Sequence, residues 1–380
     1  MVLTHEETKG YPTPLRKLEH IMTVLKEDVE AGSTLLDQVT LIHQALPEAD
    51  LSEVDTRARF LGKTLSIPLM ITGMTGGHPF AGDINRQLAR AAEKHGIAIG
   101  VGSQRAALVD PSLSWTYRVV REEASNVPVV ANLGAPQLVK GDPVRQAEQA
   151  VSMIEADALA IHLNPGQEAF QPEGDVDYRG VYRAIGRVIE KIGVPVIVKE
   201  TGSGISMETA SRLRELGIKY IDVSGLGGTN WIKVEMFRAL EKGRQVLAEA
   251  GRTYSDWGIP TAVSIIETRW AHPDAFIIAS GGIRNGLDIA RAIIIGADLA
   301  GMALPMIRAL LTSEKRLDEL ITRIKYEVRA ALYLTGSRSL DELKEKRPVL
   351  GERIIAWISQ RGIKLEDYLE RLAQRRLSEP

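Results

Sequence analysis

The chain has 380 residues and no cysteine. That excludes disulfides, thiolate metal sites and a cysteine nucleophile together, and it fits a reducing compartment. An excess of one charge is missing too. The 47 Lys and Arg nearly balance the 49 Asp and Glu, for a net charge of −2, so neither nucleic acid nor a membrane surface is an expected partner. A small anionic ligand stays compatible, because local and not net charge makes a binding site. No apolar run approaches the roughly 20 residues of a membrane span. The opening MVLTHEETKG is too polar for a secretory leader. A cytoplasmic setting is expected. What remains is ordinary for a globular protein, with 44% hydrophobic and 25% charged residues and a length ample for a full core.

From residue 68 a regular alternation begins. Short apolar runs rich in Val and Ile occur at 68–74 (PLMITGM), 98–103 (AIGVGS), 128–134 (PVVANLG), 158–164 (ALAIHLN), 195–200 (PVIVKE), 220–225 (YIDVSG), 275–282 (AFIIASGG) and 297–303 (ADLAGMA). Segments of helical periodicity separate them, and this rhythm describes βα units feeding a parallel sheet. Eight units over about 240 residues predict a (β/α)8 TIM barrel; a doubly wound sheet usually has fewer strands. We expect a single α/β domain spanning 1–380, with a barrel core at about 66–312. An N-terminal extension, 1–65, carries one helix, with Leu15, Leu18, Met22 and Leu25 at helical spacing. A charged C-terminal helical extension, 313–380, packs outside the barrel. The sixth unit is irregular, and 233–257 reads as an inserted helix or a mobile cover.

In such a barrel, chemistry sits where the strands end. Alternation puts Leu159, Ile161 and Leu163 on one face of the fourth strand, and Ala158, Ala160, His162 and Asn164 on the inner one. Thr72, Met74, Ser103, Asn132, Lys199 and Ser224 stand at the other strand ends. Each alone has a bland reading: Asn or Ser satisfies a turn, Lys199 beside Glu200 is a solvated pair, and His162 is a satisfied interior histidine. One ring of strand ends collecting all of them favours a site. The glycines of SGGIRNG (280–286) and of ADLAGMALP after the last strand suit an anion, since glycine lets backbone amides approach it and a helix N-terminus favours it. The loops after the last two strands of such barrels often hold a phosphate. A flavin fits this pattern, with Lys199 at the far end of the ring as the cation that stabilises its reduced form.

Taken in order, RKLEH (16–20), MTGG (74–77), GSQR (102–105), HLNPGQE (162–168), VKE (198–200), SGLGGTNW (224–231), WGIPT (257–261), SGGIR (280–284) and GMALP (301–305) resemble the type 2 isopentenyl diphosphate isomerases. SGGIR is common to flavin barrels, whereas RKLEH, GSQR and HLNPGQE in sequence are far more specific. The resemblance implies an FMN- and Mg2+-dependent enzyme interconverting isopentenyl and dimethylallyl diphosphate by a 1,3 proton shift. NADPH would reduce the flavin. The reduced flavin would act as acid and base, supported by Lys199 and Gln167, with no catalytic side chain acting alone. It also implies that Gly73, Met74, Thr75, Ser103, Asn132, Lys199, Ser224, Thr229, Gly282, Arg284, Ala303 and Leu304 contact FMN. Arg16, Lys17, Ser103, Arg105, His162, Asn164 and Gln167 would hold the diphosphate, and Glu168 the Mg2+. Arg16 and Lys17, plain surface charges by themselves, would then reach the barrel mouth from the N-terminal segment. Trp231 would lie near flavin or substrate. A homo-oligomer is expected from the family.

Three rivals share the fold. A flavin-dependent 2-hydroxy-acid oxidase needs a histidine base late in the barrel, and the only histidine after 162 is His272, which precedes the seventh strand. A purine-nucleotide dehydrogenase needs a cysteine. A non-catalytic phosphate-binding barrel explains the glycines but gives Lys199, Asn132 and HLNPGQE no joint purpose.

Overall fold

The computed structural model describes residues 13–374, with side chains from residue 17 onward. Eight parallel strands close into a barrel: β1 (Leu69–Ile71), β2 (Ala98–Gly100), β3 (Val129–Gly134), β4 (Ala158–His162), β5 (Val196–Lys199), β6 (Tyr220–Asp222), β7 (Phe276–Ala279) and β8 (Leu299–Met302). β8 returns to pair with β1 through Ala300↔Leu69 and Met302↔Ile71. The predicted (β/α)8 barrel is present.

The helices follow from their caps and their apolar stripes. They include α1 (Thr13–Lys26), α2 (Pro79–His95), α3 (Trp115–Glu123), α4 (Pro143–Met153), α5 (Pro165–Phe170), α6 (Val181–Lys191), α7 (Met207–Glu215), α8 (Trp231–Glu241), α9 (Gln245–Thr253), α10 (Thr261–Ala271), α11 (Gly286–Ile294), α12 (Leu304–Thr312) and α13 (Glu314–Leu334), with shorter helices between them and three more after α13. Asn230, Asn285 and Ser313 each accept a hydrogen bond from the third amide beyond them, at 2.9, 2.8 and 3.0 Å. These bonds satisfy amides that have no partner inside the helix.

Strand alternation sorts the barrel into two cores. Leu159, Ile161, Ile221 and Ile277 face the surrounding helices in the main core. Val130, Ala158, Ala160, Ile197, Tyr220, Phe276 and Leu299 fill the lumen. A hairpin pairing Ala58–Phe60 with Lys63–Leu65 plugs the N-terminal end: Phe60 stacks on Phe276 at 5.4 Å and meets Tyr220 edge-on at 6.3 Å. Only the C-terminal end is therefore open for ligands.

Both extensions join the main core, through Leu35, Leu36 and Val39 on one side and Ile324, Val328 and Ile354 on the other. Val39–Thr40 also pairs antiparallel with Val349–Leu350 outside the barrel. The segment 233–257 is a pair of packed helices, α8 and α9, and α1 lies against α8.

Candidate active site

The open end of the barrel holds a cavity with about 1560 Å³ of open space, its solvent-filled mouth included. It is lined by every site residue expected from the sequence whose side chain is described. Gly73, Met74 and Thr75 follow β1, Ser103 and Arg105 follow β2, Asn132 lies on β3, and His162 and Lys199 end β4 and β5. Ser224 and Thr229 follow β6, Gly282 and Arg284 follow β7, and Ala303 and Leu304 follow β8. Asn164, Gln167 and Glu168 come from the start of α5, and Lys17 reaches the mouth from α1. The side chain of Arg16 lies outside the described residues.

One end of the cavity suits an anion. Gly281 and Gly282 adopt φ of 91° and 77°, and a Cβ on Gly282 would stand 2.4 Å from the Gly227 carbonyl oxygen. Only glycine fits there. The N-terminus of α12 and the partly exposed Arg284 face the same region. Burial and the neighbouring Arg308 lower the Arg284 pKa, yet a guanidinium stays charged. Glu30 pairs with Arg284, and with Arg308 at 3.7 Å.

Deeper in, the buried hydroxyls Thr75 Oγ1 and Ser103 Oγ have no hydrogen-bond partner among the described residues. Buried polar atoms rarely stay unpaired, so both point to a ligand. Ser224 holds φ at 38°, a strained conformation for a residue with a side chain and one that clusters at ligand sites.

Lys199 Nζ donates to the Glu200 carbonyl oxygen at 2.7 Å and lies 4.0 Å from Asp222 Oδ2. The solvated Lys199–Glu200 pair does not exist. Glu200 is only 5% exposed, and its carboxylate turns away to accept the backbone amides of Thr201 and Gly202, both at 2.6 Å, and of Ser203. Burial pushes the Glu200 carboxyl up to about 7 despite those amides.

His162 Nδ1 pairs with Asn132 Oδ1 at 2.7 Å. An oxygen acceptor there places the ring proton on Nδ1 and leaves Nε2 as an acceptor. Burial, with Lys199 and Lys17 nearby, pushes the His162 pKa down to about 3, so the ring is neutral.

Asn164 spends its side chain on its neighbours. Nδ2 donates to Gln167 Oε1 at 3.0 Å and to Glu168 Oε1 at 2.9 Å. Oδ1 accepts from Tyr178 Oη at 2.9 Å. Asn164 is 3% exposed and sets the geometry of Gln167 and Glu168. Glu168 Oε2 accepts the Asp175 amide at 2.6 Å. Among the described residues no group of three or more His, Asp or Glu is placed to hold a metal ion. Glu168 thus offers a single carboxylate, the set Mg2+ uses when an anionic ligand and water complete its shell.

A buried charged network went unnoticed in the sequence. Gln167 Nε2 donates to Glu235 Oε1 at 3.0 Å, and the same oxygen meets His20 Nε2 at 2.8 Å. Arg238, fully buried, pairs with Glu235, with Glu19 at 2.9 Å and with Glu173 at 2.8 Å. Burial pushes the Glu235 carboxyl up, but His20 and Arg238 outweigh it and hold the group below the usual carboxylate range. His20 packs edge-on against Trp231 at 5.3 Å, and both line the cavity. The network joins α1, α5 and α8 at the mouth. Only the position of His20, one turn beyond Arg16 and Lys17 in RKLEH, hinted at it. Asp222 was legible from alternation, since Tyr220, Asp222 and Ser224 share the inner face of β6.

A barrel with a glycine-walled anion site above a strand-end lysine defines a class, that of the flavin-dependent α/β barrels. The sequence profile of FMN-dependent dehydrogenases matches residues 25–111 and 143–349. Solved mandelate oxidase structures share the fold: the complex with benzoyl-formic acid superposes with a TM-score of 0.59 at 17% identity, over 90% of this chain and 99% of that one. Within the class the relatives are specific. The isopentenyl-diphosphate delta-isomerase of Aeropyrum pernix is 52% identical over 353 residues, 92% of this chain and 94% of its own length. That of Ignicoccus hospitalis is 50% identical over 351 residues, 92% and 97% respectively. The chain belongs to the isopentenyl-diphosphate delta-isomerase family.

Proposed function

We propose that this chain interconverts isopentenyl and dimethylallyl diphosphate by a 1,3 proton shift, using reduced FMN and Mg2+. The observation that carries this reading is identity of about half to isopentenyl-diphosphate delta-isomerases over more than nine-tenths of the chain. The site supports it. Its unpaired Thr75 and Ser103 hydroxyls, the Gly281–Gly282 turn and Lys199 form a cradle suited to FMN. Bound there and reduced, FMN supplies an electron-rich ring that carries the proton chemistry.

The chain's own residues bind, orient and exclude. Lys17 and Arg105 bring cations to the mouth, where a diphosphate needs charge-assisted hydrogen bonds. His162, held by Asn132 through Nδ1, lines the same cavity and keeps Nε2 for the substrate, and Glu168 would carry Mg2+ against the phosphate oxygens. Gln167, held by Asn164 and Glu235, keeps its amide at a fixed place beside the substrate. Asn164 enters as the residue that orients Gln167 and Glu168, with its own amide already engaged. α1, His20 and Trp231 cover the mouth and limit water around a developing cation. The oxidase alternative loses its base: His272 bonds the Ile218 carbonyl oxygen at 2.7 Å, at the closed end of the barrel. We take NADPH as the source of electrons, a homo-oligomer as the working form and the cytoplasm as the setting, on family resemblance.

The test is an anaerobic incubation of FMN-loaded protein with isopentenyl diphosphate and Mg2+, with and without reductant. Dimethylallyl diphosphate appearing only with the reduced cofactor is expected. No product from FMN-loaded, reduced protein would refute the isomerase reading.

A further inference from the structure

Lys199 and Asp222 stand directly opposite each other on β5 and β6, and both point into the lumen below the mouth. Their side chains are 12% and 3% exposed. Burying a carboxylate in an apolar barrel is costly unless it is paired, so this one needs a reason. It lies a layer beneath the mouth and is not among the residues lining the main cavity, so substrate binding does not supply one.

The carboxylate is divided between two tasks. Oδ1 accepts from Ser280 Oγ at 2.5 Å and from the Ser224 amide at 3.2 Å. Oδ2 faces Lys199 Nζ at 4.0 Å, too far for a direct hydrogen bond. A void of about 10 Å³ in the lumen borders both residues, together with Asn132 and apolar residues such as Val130, Ile197 and Ile278, and is close to the space one water needs. The other buried carboxylate near Lys199, that of Glu200, is taken by three backbone amides. His162 is neutral, and the Glu200 carbonyl oxygen accepts from Nζ without adding a charge. Asp222 is therefore the carboxylate placed to balance Lys199: burial raises its pKa, and Lys199, the Ser280 hydroxyl and the Ser224 amide work against that to favour the ionised form.

We propose that Asp222 is a positioning residue that balances the Lys199 ammonium and so limits how strongly the site favours a reduced, negatively charged cofactor ring. The inference rests on the FMN reading above. An unbalanced ammonium beside the ring stabilises the anion and raises the reduction potential. A carboxylate 4.0 Å behind it cancels part of that field.

The test uses holoenzyme reconstituted with FMN. The two-electron midpoint potential is measured at one pH for the wild type, Asp222→Asn and Asp222→Glu, with FMN stoichiometry read from absorbance. Asp222→Asn should shift the potential to more positive values, favouring reduction at least tenfold, which is about 30 mV for a two-electron couple. Asp222→Glu keeps the charge and should stay near the wild type. FMN bound normally with an unchanged or more negative potential in Asp222→Asn overturns the proposal, because Asp222 is then uncharged or electrically idle. Should Asp222→Asn fail to fold or to hold FMN, Ser280→Ala carries the test. It removes a donor from the Asp222 carboxylate, favours its neutral form and should move the potential the same way by less; no movement there also overturns the proposal. A wild type that binds no FMN refutes the cofactor reading itself, and this inference with it.

Discussion

Asn164 Nδ2 donates to Glu168 Oε1 at 2.9 Å, and the same amide reaches Gln167 Oε1 at 3.0 Å. One buried asparagine thus aims the candidate metal carboxylate and the amide beside it. Partners that orient a metal ligand typically matter 10- to 100-fold. Asn164→Ala should lower turnover by about 10- to 100-fold and raise the Mg2+ concentration at half-maximal rate, with FMN retained. A Mg2+ titration of the reduced enzyme checks it; an unchanged half-maximal concentration would detach Asn164 from the metal.

Glu168→Gln removes the charge at nearly constant shape; its single amide oxygen keeps only one of the two bonds that Glu168 accepts from Asn164 and from the Asp175 amide. Turnover at limiting Mg2+ should fall by more than about tenfold, and FMN absorbance should not change. Normal turnover at low Mg2+ would assign the metal elsewhere.

Arg105 opens a short helix, Arg105–Val109, at the cavity mouth. Replacing it with Ala should raise KM for isopentenyl diphosphate and leave kcat within a few-fold, the signature of lost uniform binding. A KM that does not move would take Arg105 out of the diphosphate site.

The barrel and the ring of strand ends were readable because each rests on local periodicity. His162 and Asn164 share an inner face by alternation, and Gly281 and Gly282 mark an anion turn by composition. What one residue does for another was not readable. Asn164 resembled a phosphate ligand, yet its amide serves Gln167 and Glu168. Glu200 looked solvated beside Lys199, but the turn 201–203 folds its amides onto the carboxylate and buries it. The Arg238 network joins residues 215 and more positions apart, Glu19 and His20 on one side and Glu235 and Arg238 on the other. Such pairings come from the packing of α1 on α8, which no window of sequence contains. In 233–257 the helical pattern was visible, while its packed, charged contact with the N-terminal helix was not.

That network makes a stability prediction. Arg238 is fully buried and touches Glu19, Glu173 and Glu235. Arg238→Met would leave these carboxylates without their shared cation, and breaking a buried pair from one side costs about 3–5 kcal/mol. Denaturant midpoints should fall accordingly, and limited proteolysis should cut earlier within α1. Glu235→Gln should be milder, since Arg238 keeps two carboxylates. A variant of Arg238 as stable as the wild type would mean that the cluster is held by packing and not by charge.

The neutrality of His162 gives a pH prediction with a definite sign. Burial first, then Lys199 and Lys17, lowers its pKa from 6.5 to about 3. In the unfolded chain the ring takes up a proton as pH falls through about 6.5, which the native state refuses. The native protein should therefore lose stability as pH falls from about 6.5 toward 3, and His162→Gln should flatten that limb. The negative charge of a diphosphate beside the ring would oppose both the burial effect and that of Lys17 and Lys199, favour a proton on Nε2 and turn it from acceptor to donor. Binding of isopentenyl diphosphate with Mg2+ at neutral pH should then take up a proton. Titration calorimetry in two buffers of different ionisation enthalpy reads that uptake directly, and His162→Gln should abolish it. Equal binding enthalpies in both buffers for the wild type would show that His162 stays neutral, and would remove it from the groups that grip the diphosphate.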